Sequence, residues 1–476
     1  MMISSQYVCV HCHFYQPPRG NPFSDEPLVE PDAAPFKNWN ERITAECYQP
    51  NADAGNFELV SFNLGETLAA WLADHAPDTY HKILDADQHN IERKNVGNAV
   101  AQPMHHTILP LSSREDKVTQ VKWGKLAFQY RFGRAPTGIW LPEMAVDLET
   151  LDVLAEQGIE WTILSESQVT GKPAGAGPYW IRLPSGGRFK VFVRDEQLSN
   201  DMAFNLGRFG GAGRWAREVL IPRRRDAGAL TLVATDGETF GHHWHGEDQF
   251  LHWLLDYEAL AAGYKVTTLA SYAAQYEPET EVGLHENTSW SCQHGLARWA
   301  TGCDCTPGDS YWKGALRRAM DNLRTAVDDL YKDAVVKLAG VSPIGLRDAY
   351  IDVVLGKLPK EEFLNSQGVM LGGESAAQVL KMVEAQYYRQ CMYASCVYFF
   401  PSLGSWSTRY GVYNAVYTTR LMAESTGTDL GPEFKRDLAI AIGQEAQTGA
   451  RITGSDMFDE AVSTLEASRA MTRAAS

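Results

Sequence analysis

Residues 230–248 read LTLVATDGETFGHHWHGED. The apolar run Leu230–Ala234 has the length of a strand, and Thr235 and Asp236 follow it directly. A short, continuous apolar run closed by turn residues marks a strand buried on both faces, as in a parallel sheet. Gly237 then lets the backbone turn. Asp236 is therefore expected at the C-terminal end of a buried strand. The histidines His242, His243 and His245 with Glu247 and Asp248 open a second reading, a metal site.

Outward from this stretch, strand-like runs recur at Tyr7–His11, Glu58–Phe62, Gly138–Leu141, Trp161–Leu164, Phe189–Arg194 and Val266–Leu269. Helical stretches fall between several of them, most clearly Leu64–Ala73 and Asp147–Gln157, the latter ending at Gly158 as a C-cap does. Such alternation predicts α/β architecture with a parallel sheet and crossover helices. Seven strands with polar C-terminal ends suggest a barrel, whose chemistry gathers at that rim. An open doubly wound sheet is the alternative, but no Gly-rich phosphate fingerprint follows the first strand. Beyond residue 275 the period changes. Trp312, Leu316, Met320, Leu323, Val327 and Leu330 form one helical stripe, Val379, Met382, Val383 and Tyr387 another, and the tail from Glu433 is helical in character. We therefore expect a catalytic barrel over 1–275 and an all-helical C-terminal domain over 276–476, packed on the barrel and completing its cleft.

The chain has 476 residues, with 43 Lys and Arg against 59 Asp and Glu, for a net charge of −16. That balance argues against nucleic-acid binding, which needs clustered cations. The short basic run Arg223–Arg225 reads as a solvated loop. No apolar run suits a membrane span, and no secretory signal opens the sequence. A cytoplasmic setting is expected, with the eight scattered cysteines reduced. Cys9 and Cys12 point to opposite faces of the first strand and make a poor ligand pair.

Candidate chemistry lies at the strand ends. His11 and His13 share one face of the first strand. Pro142 interrupts the run before Glu143, which stands either as a nucleophile or as an acid favouring the next helix dipole. Glu143 and Asp236 at one rim supply the two carboxylates that glycoside hydrolysis uses. Of 13 tryptophans, Trp140, Trp244, Trp290 and Trp299 lie near these motifs and offer apolar faces to sugar rings. His294 and Arg298 share one face if that segment is helical.

HCHFYQPPR (11–19), SFNLGETL (61–68), GIWLPE (138–143) and ATDGETFG (234–241), in this order, resemble glycoside hydrolase family 57. That family holds α-amylases, 4-α-glucanotransferases, amylopullulanases and branching enzymes. Residues 392–396, MYASC, resemble the helical C-terminal half of one subgroup of uncharacterised role. The resemblance implies a (β/α)7 parallel barrel followed by helices, and retaining chemistry with no metal and no cofactor. It implies Glu143 as nucleophile, Asp236 as general acid/base, and His11 and His13 as contacts of the sugar at the cleaved bond. Gln16 and Asn63 fall in its first two motifs. Glu238 would orient neighbours or bind a hydroxyl, while His242, His243, Trp244, Trp290, His294, Arg298 and Trp299 would serve outer subsites. Thr239 stands where many members carry Lys, and the His242–His243 pair displaces an aromatic. The implied substrate is an α-glucan or maltooligosaccharide. Two other readings stay open: a zinc-dependent barrel enzyme of α-mannosidase or polysaccharide-deacetylase type, and a non-catalytic α-glucan-binding protein.

Overall fold

The structure, a computed structural model, describes residues 5–23, 28–171, 175–223 and 229–475. Arg224 and Arg225 of the basic run lie outside the described residues. The chain forms two compact units. One comprises Met1–Gln16, Leu28–Met104 and Gly124–Trp290, and the other Pro17–Pro27, His105–Trp123 and Ser291–Ser476.

The first unit is α/β. Its strands are β1 (Gln6–Phe14), β2 (Ser61–Leu64), β3 (Ala99–Val100), β4 (Gly138–Ile139), β5 (Trp161–Ser165), β6 (Val169–Thr170), β7 (Tyr179–Arg182), β8 (Arg188–Arg194), β9 (Leu230–Asp236), β10 (Tyr264–Val266) and β11 (Gly283–Leu284). β1 pairs in parallel with β2, β9 and β10, and β2 with β3. A second sheet runs β4-β5-β8-β7, with only β7 antiparallel. A parallel bridge joins Ala101 to Ile139, and the Asp195 amide donates to the Leu232 carbonyl at 2.8 Å. β6 and β11 form a separate antiparallel pair. The interiors are apolar, with Cys9, Trp140, Trp161, Phe192, Leu232 and Ala234 in one buried cluster. Continuous burial along β1 and β9 is what two-sided packing of a parallel sheet requires.

Several elements differ from the sequence expectation. Residues 58–59 belong to the helix Asn56–Leu59, and the strand begins at Ser61. The Asn98 side chain donates to the carbonyls of Phe57 and Val60, both at 2.6 Å, and fixes that helix end. β10 stops at Val266 because Thr268 caps the helix Leu269–Ala273, accepting from the Ser271 amide. β3, only two residues long, carried no periodic signal. In the tail, the hairpin β12 (Ile442–Gln444) and β13 (Arg451–Thr453) separates the helices Gly431–Leu438 and Gly454–Ala475.

The second unit is mainly helical. Gly373–Cys391 packs along Trp406–Thr426, and Trp312–Ala339 packs on both. The stripe read from sequence is buried at Trp312, Leu316, Met320, Leu323 and Val327. Asp116 is the buried polar centre here. Its Oδ1 accepts from Arg389 Nη1 at 2.6 Å, Gln390 Nε2 at 2.7 Å and Arg347 Nη1 at 3.1 Å. Burial alone would raise its pKa, but the two guanidinium charges and these bonds hold the carboxyl well below the usual range. Among the described residues, no helix is long and apolar enough to cross a membrane.

Removing Asp116 would leave two buried guanidinium groups without their shared carboxylate. Asp116→Ala is therefore expected to cost about 3–5 kcal/mol of stability, read as a lowered denaturant midpoint with an unchanged slope. A loss within 1 kcal/mol, roughly the worth of an exposed pair, would show that the cluster contributes little.

Candidate active site

The register of β1 builds the site. His13 pairs with Asn63 of β2 on one strand and with Asp236 of β9 on another. His11 lies one step below on the same face, opposite Ser61 and Ala234. Both imidazoles stack on the indole of Trp140, with centroids 5.0 Å away for His11 and 4.7 Å for His13.

One amide orients both histidines. Asn63 Nδ2 lies 2.8 Å from Gln102 Oε1, to which it donates, and 2.9 Å from His13 Nδ1. Its Oδ1 lies 3.2 Å from His11 Nε2, and Ser61 Oγ is 3.1 Å from His11 Nδ1. One consistent assignment runs from Ser61 O–H to His11 Nδ1, from His11 Nε2–H to Asn63 Oδ1, and from Asn63 Nδ2–H to His13 Nδ1, with Asn63 Oδ1 also 3.2 Å from His13 Nδ1. It makes Nε2 the hydrogen-bearing nitrogen of His13. Burial lowers the pKa of His11 to about 3 and of His13 to about 4, so both are neutral donors at physiological pH.

Glu143 follows Pro142 in a one-turn 3-10 segment, and its φ of 57° lies in the left-handed region. A non-glycine residue rarely stays there unless its surroundings hold it. Trp290 supplies the hold. Its amide donates to the Glu143 carbonyl at 3.1 Å and its indole Nε1 to Glu143 Oε2 at 3.2 Å. The following helix, Leu148–Glu156, is capped by Asp147, which accepts from the Thr150 amide at 2.7 Å. Glu143 is therefore not that helix's terminal acid.

Asp236 ends β9. Burial, then the charges of Glu238 and Glu143, raise its pKa to about 8, while Arg194 opposes the shift. Arg194 ends β8, donates to Ser165 Oγ at 3.0 Å and to the Ala234 carbonyl at 3.1 Å, and lies 5.0 Å over the Trp290 ring. Glu238 is buried and accepts from Tyr48 Oη at 2.6 Å and from Gln16 Nε2 at 3.2 Å. Its pKa rises to about 7 through burial, against these hydrogen bonds. Between the two acids, Gly237 is needed for space. A Cβ there would stand 2.1 Å from the Phe14 ring, and its φ is not left-handed.

The remaining expected residues divide. Trp140 is fully buried beneath the histidines and presents no face to a sugar. His242 Nδ1 pairs with Glu46 Oε2 at 2.5 Å, and His243 is exposed beside it. Trp244 donates to the Ala203 carbonyl at 2.9 Å. Asp248 is buried at the start of the helix Asp248–Trp253. His294, Arg298 and Trp299 belong to the other unit. The helix there spans only Ala297–Ala300, so His294 and Arg298 do not share a helix face, and Trp299 is fully buried. Among the described residues of the first unit, no three histidine, cysteine or carboxylate groups converge to hold an ion. Tyr48, Gln102 and Ser61 complete the polar network. Ser61 stood inside a recognised motif, but Tyr48 and Gln102 carried no sequence signal.

The model of glycosyl hydrolase family 57 matches residues 36–285. The chain belongs to glycosyl hydrolase family 57. Residues 309–472 match a domain of unknown function, DUF3536. An alpha-amylase of Pyrococcus horikoshii is 25% identical over 251 residues, which cover 49% of this chain and 37% of that protein. The 4-alpha-glucanotransferase of Thermococcus litoralis is 24% identical over 247 residues, 49% of this chain and 36% of the relative. The chain thus aligns with little more than a third of these family members' length. Among solved structures, the exo-type maltose-forming amylase of Pyrococcus sp. ST04 superposes with a TM-score of 0.70 at 16% identity, covering 96% of this chain and 88% of the other. The family 57 branching enzyme of Pyrococcus horikoshii gives 0.59 at 14% identity, covering 97% and 94%. These similarities in structure establish a shared fold.

The unfolded chain ionises Asp236 near pH 4, whereas the folded family 57 protein holds that proton to about pH 8. Between these limits, rising pH draws the proton preferentially from the unfolded state and erodes stability. Asp236→Asn is therefore expected to raise Tm at pH 7.5 by a few degrees. Equal Tm values for variant and wild type across pH 5–8 would show that Asp236 is not held protonated.

Proposed function

We propose that this family 57 member is a retaining α-glucan hydrolase or transglycosylase, with Glu143 as nucleophile and Asp236 as general acid/base. The observation that carries the reading is the electrostatic coupling of the two carboxylates. Asp236 is held protonated to about pH 8, partly by the charge of Glu143. A double displacement needs that asymmetry, one carboxylate charged and one carrying a proton. Glu143 attacks the anomeric carbon while Asp236 protonates the departing oxygen. A covalent glycosyl-enzyme forms, and Asp236 then deprotonates water or an acceptor hydroxyl. The separation this chemistry needs is about 5–5.5 Å between carboxyl groups.

His13, as an Nε2–H donor, is suited to a hydroxyl of the sugar undergoing cleavage, and His11 fixes its orientation through Asn63. The alpha-amylase and 4-alpha-glucanotransferase names of the aligned relatives favour an α-glucan. We further read the strand order β1-β2-β3-β4-β5-β8-β9 as a (β/α)7 barrel, supported by the Ala101–Ile139 bridge and the Asp195–Leu232 bond. The eight free cysteines fit a reducing, cytoplasmic setting.

Incubation with maltoheptaose and profiling of the products tests the reading. Shorter sugars alone indicate hydrolysis, and longer with shorter ones indicate transfer. New branch points on an added glycogen acceptor indicate branching. Glu143→Gln is expected to lower kcat by 10³-fold or more, and wild-type kcat/KM is expected to fall as pH rises through about 8. Glu143→Gln turnover within tenfold of wild type, or no product from maltoheptaose, starch or glycogen, would sink the proposal.

A further inference from the structure

Residues 290–305, WSCQHGLARWATGCDC, contain the pattern Cys-x-His, eight residues, Cys-x-Cys. The fold gathers all four side chains. Cys292 Sγ is 3.6 Å from Cys303 Sγ, and His294 Nδ1 is 3.3 Å from Cys305 Sγ. The four atoms lie within 4.8 Å of one another. We propose that Cys292, His294, Cys303 and Cys305 form a structural zinc site.

The geometry fits one tetrahedral ion. Zinc–sulfur bonds of about 2.3 Å and zinc–nitrogen bonds of about 2.0–2.1 Å, at tetrahedral angles, place neighbouring ligand atoms about 3.5–3.8 Å apart. A disulfide would need its sulfurs at about 2.05 Å. Four protein ligands close the coordination shell and leave no position for a substrate or water, which marks a structural rather than a catalytic ion. Ligation by His294 Nδ1 leaves its Nε2–H toward solvent, consistent with the exposure of that side chain.

The surroundings suit the charge of such a site. Three thiolates and one zinc ion carry a net negative charge, and two cations lie nearby. Arg298 Nη2 donates to the Ser291 carbonyl at 3.0 Å and to the Cys305 carbonyl at 3.2 Å, tying together the two ends of the loop. Lys313 is fully buried, and its Nζ donates to two neutral acceptors, Thr306 Oγ1 at 2.9 Å and the Phe399 carbonyl at 3.2 Å. A buried ammonium is costly without a compensating charge, and Lys313 interacts electrostatically with Cys292 and Cys303. The loop itself contains only the four-residue helix Ala297–Ala300. Little regular structure holds it, which is where a metal staple contributes most. Binding releases the three thiol protons to solvent and keeps the imidazole neutral, so affinity falls as pH falls. This revises the expectation of a metal-free protein and is independent of the glycosidase reading.

Elemental analysis of the tag-free full chain, purified under reducing conditions, provides the test. About one zinc per chain is expected, lost from a Cys303→Ser/Cys305→Ser double variant. Chelation should lower the Tm of the wild type by several degrees, and zinc should restore it. If the double variant fails to fold, His294→Ala serves instead, with at least tenfold weaker zinc retention expected in a chelator competition. Cobalt(II) added to the reduced apoprotein should give the visible bands of tetrahedral thiolate coordination. Iron in place of zinc, a Cys292–Cys303 disulfide in the purified chain, or no metal together with no cobalt bands would overturn the assignment.

Discussion

The parallel register of β1 against β2 and β9 puts Asn63, His13 and Asp236 in one row. Strand registry repeats every two residues, so a slip of one would turn His11 and His13 away and bring Cys12 round in their place. Burial on both faces makes such a slip prohibitive, because β1 would lose its apolar partners along most of its length. The register thus acts as the ruler for the site. It delivers two imidazoles to one face, and the neighbouring strands deliver the amide that orients them and the carboxylate that lies beside them.

Burial then sets the protonation states. The same removal from water that lowers His11 and His13 raises Asp236 and Glu238. The cluster therefore carries less charge than its composition suggests. Tyr48 and Gln16 satisfy Glu238, while Arg194, fixed by Ser165 and the Ala234 carbonyl, limits the rise at Asp236. Two acids separated by one glycine thus sit in different surroundings. Glu238 is hydrogen-bonded into the interior, whereas Asp236 remains partly exposed at the strand end. The glycine between them is kept small by the Phe14 ring rather than by backbone strain.

Much of this was legible in the sequence. The apolar run ending at Asp236, the His-x-His of β1 and the Pro-Glu pair after β4 each combine a periodic signal with a polar terminus. Helix stripes were legible for the same reason, as at Trp312–Val327. Features without periodicity were not. β3 is too short to alternate, and the helix Asn56–Leu59 depends on Asn98, some forty residues further on. Tyr48 reaches Glu238 across 190 positions of sequence. Trp140 illustrates a different limit. A tryptophan beside a family motif suggests a sugar platform, but only packing reveals that its ring is covered by the two histidines.

Glu143 joins these threads. Its backbone sits where side chains clash with the following peptide, at a cost of about 1–3 kcal/mol. Pro142 fixes the approach, and Trp290 engages both ends of the residue, bonding the carbonyl through its amide and the carboxylate through its indole. The indole in turn packs edge-on against Trp140 at 5.1 Å, the ring on which His11 and His13 stack. Glu143 and the histidines therefore share one aromatic foundation, although they arise from strands far apart in sequence. A shift of Trp140 would disturb both, and its complete burial resists that shift. The aromatic residues that first suggested sugar binding contribute here mainly by holding polar groups rigid, and such rigidity fixes where a carboxylate or an imidazole points.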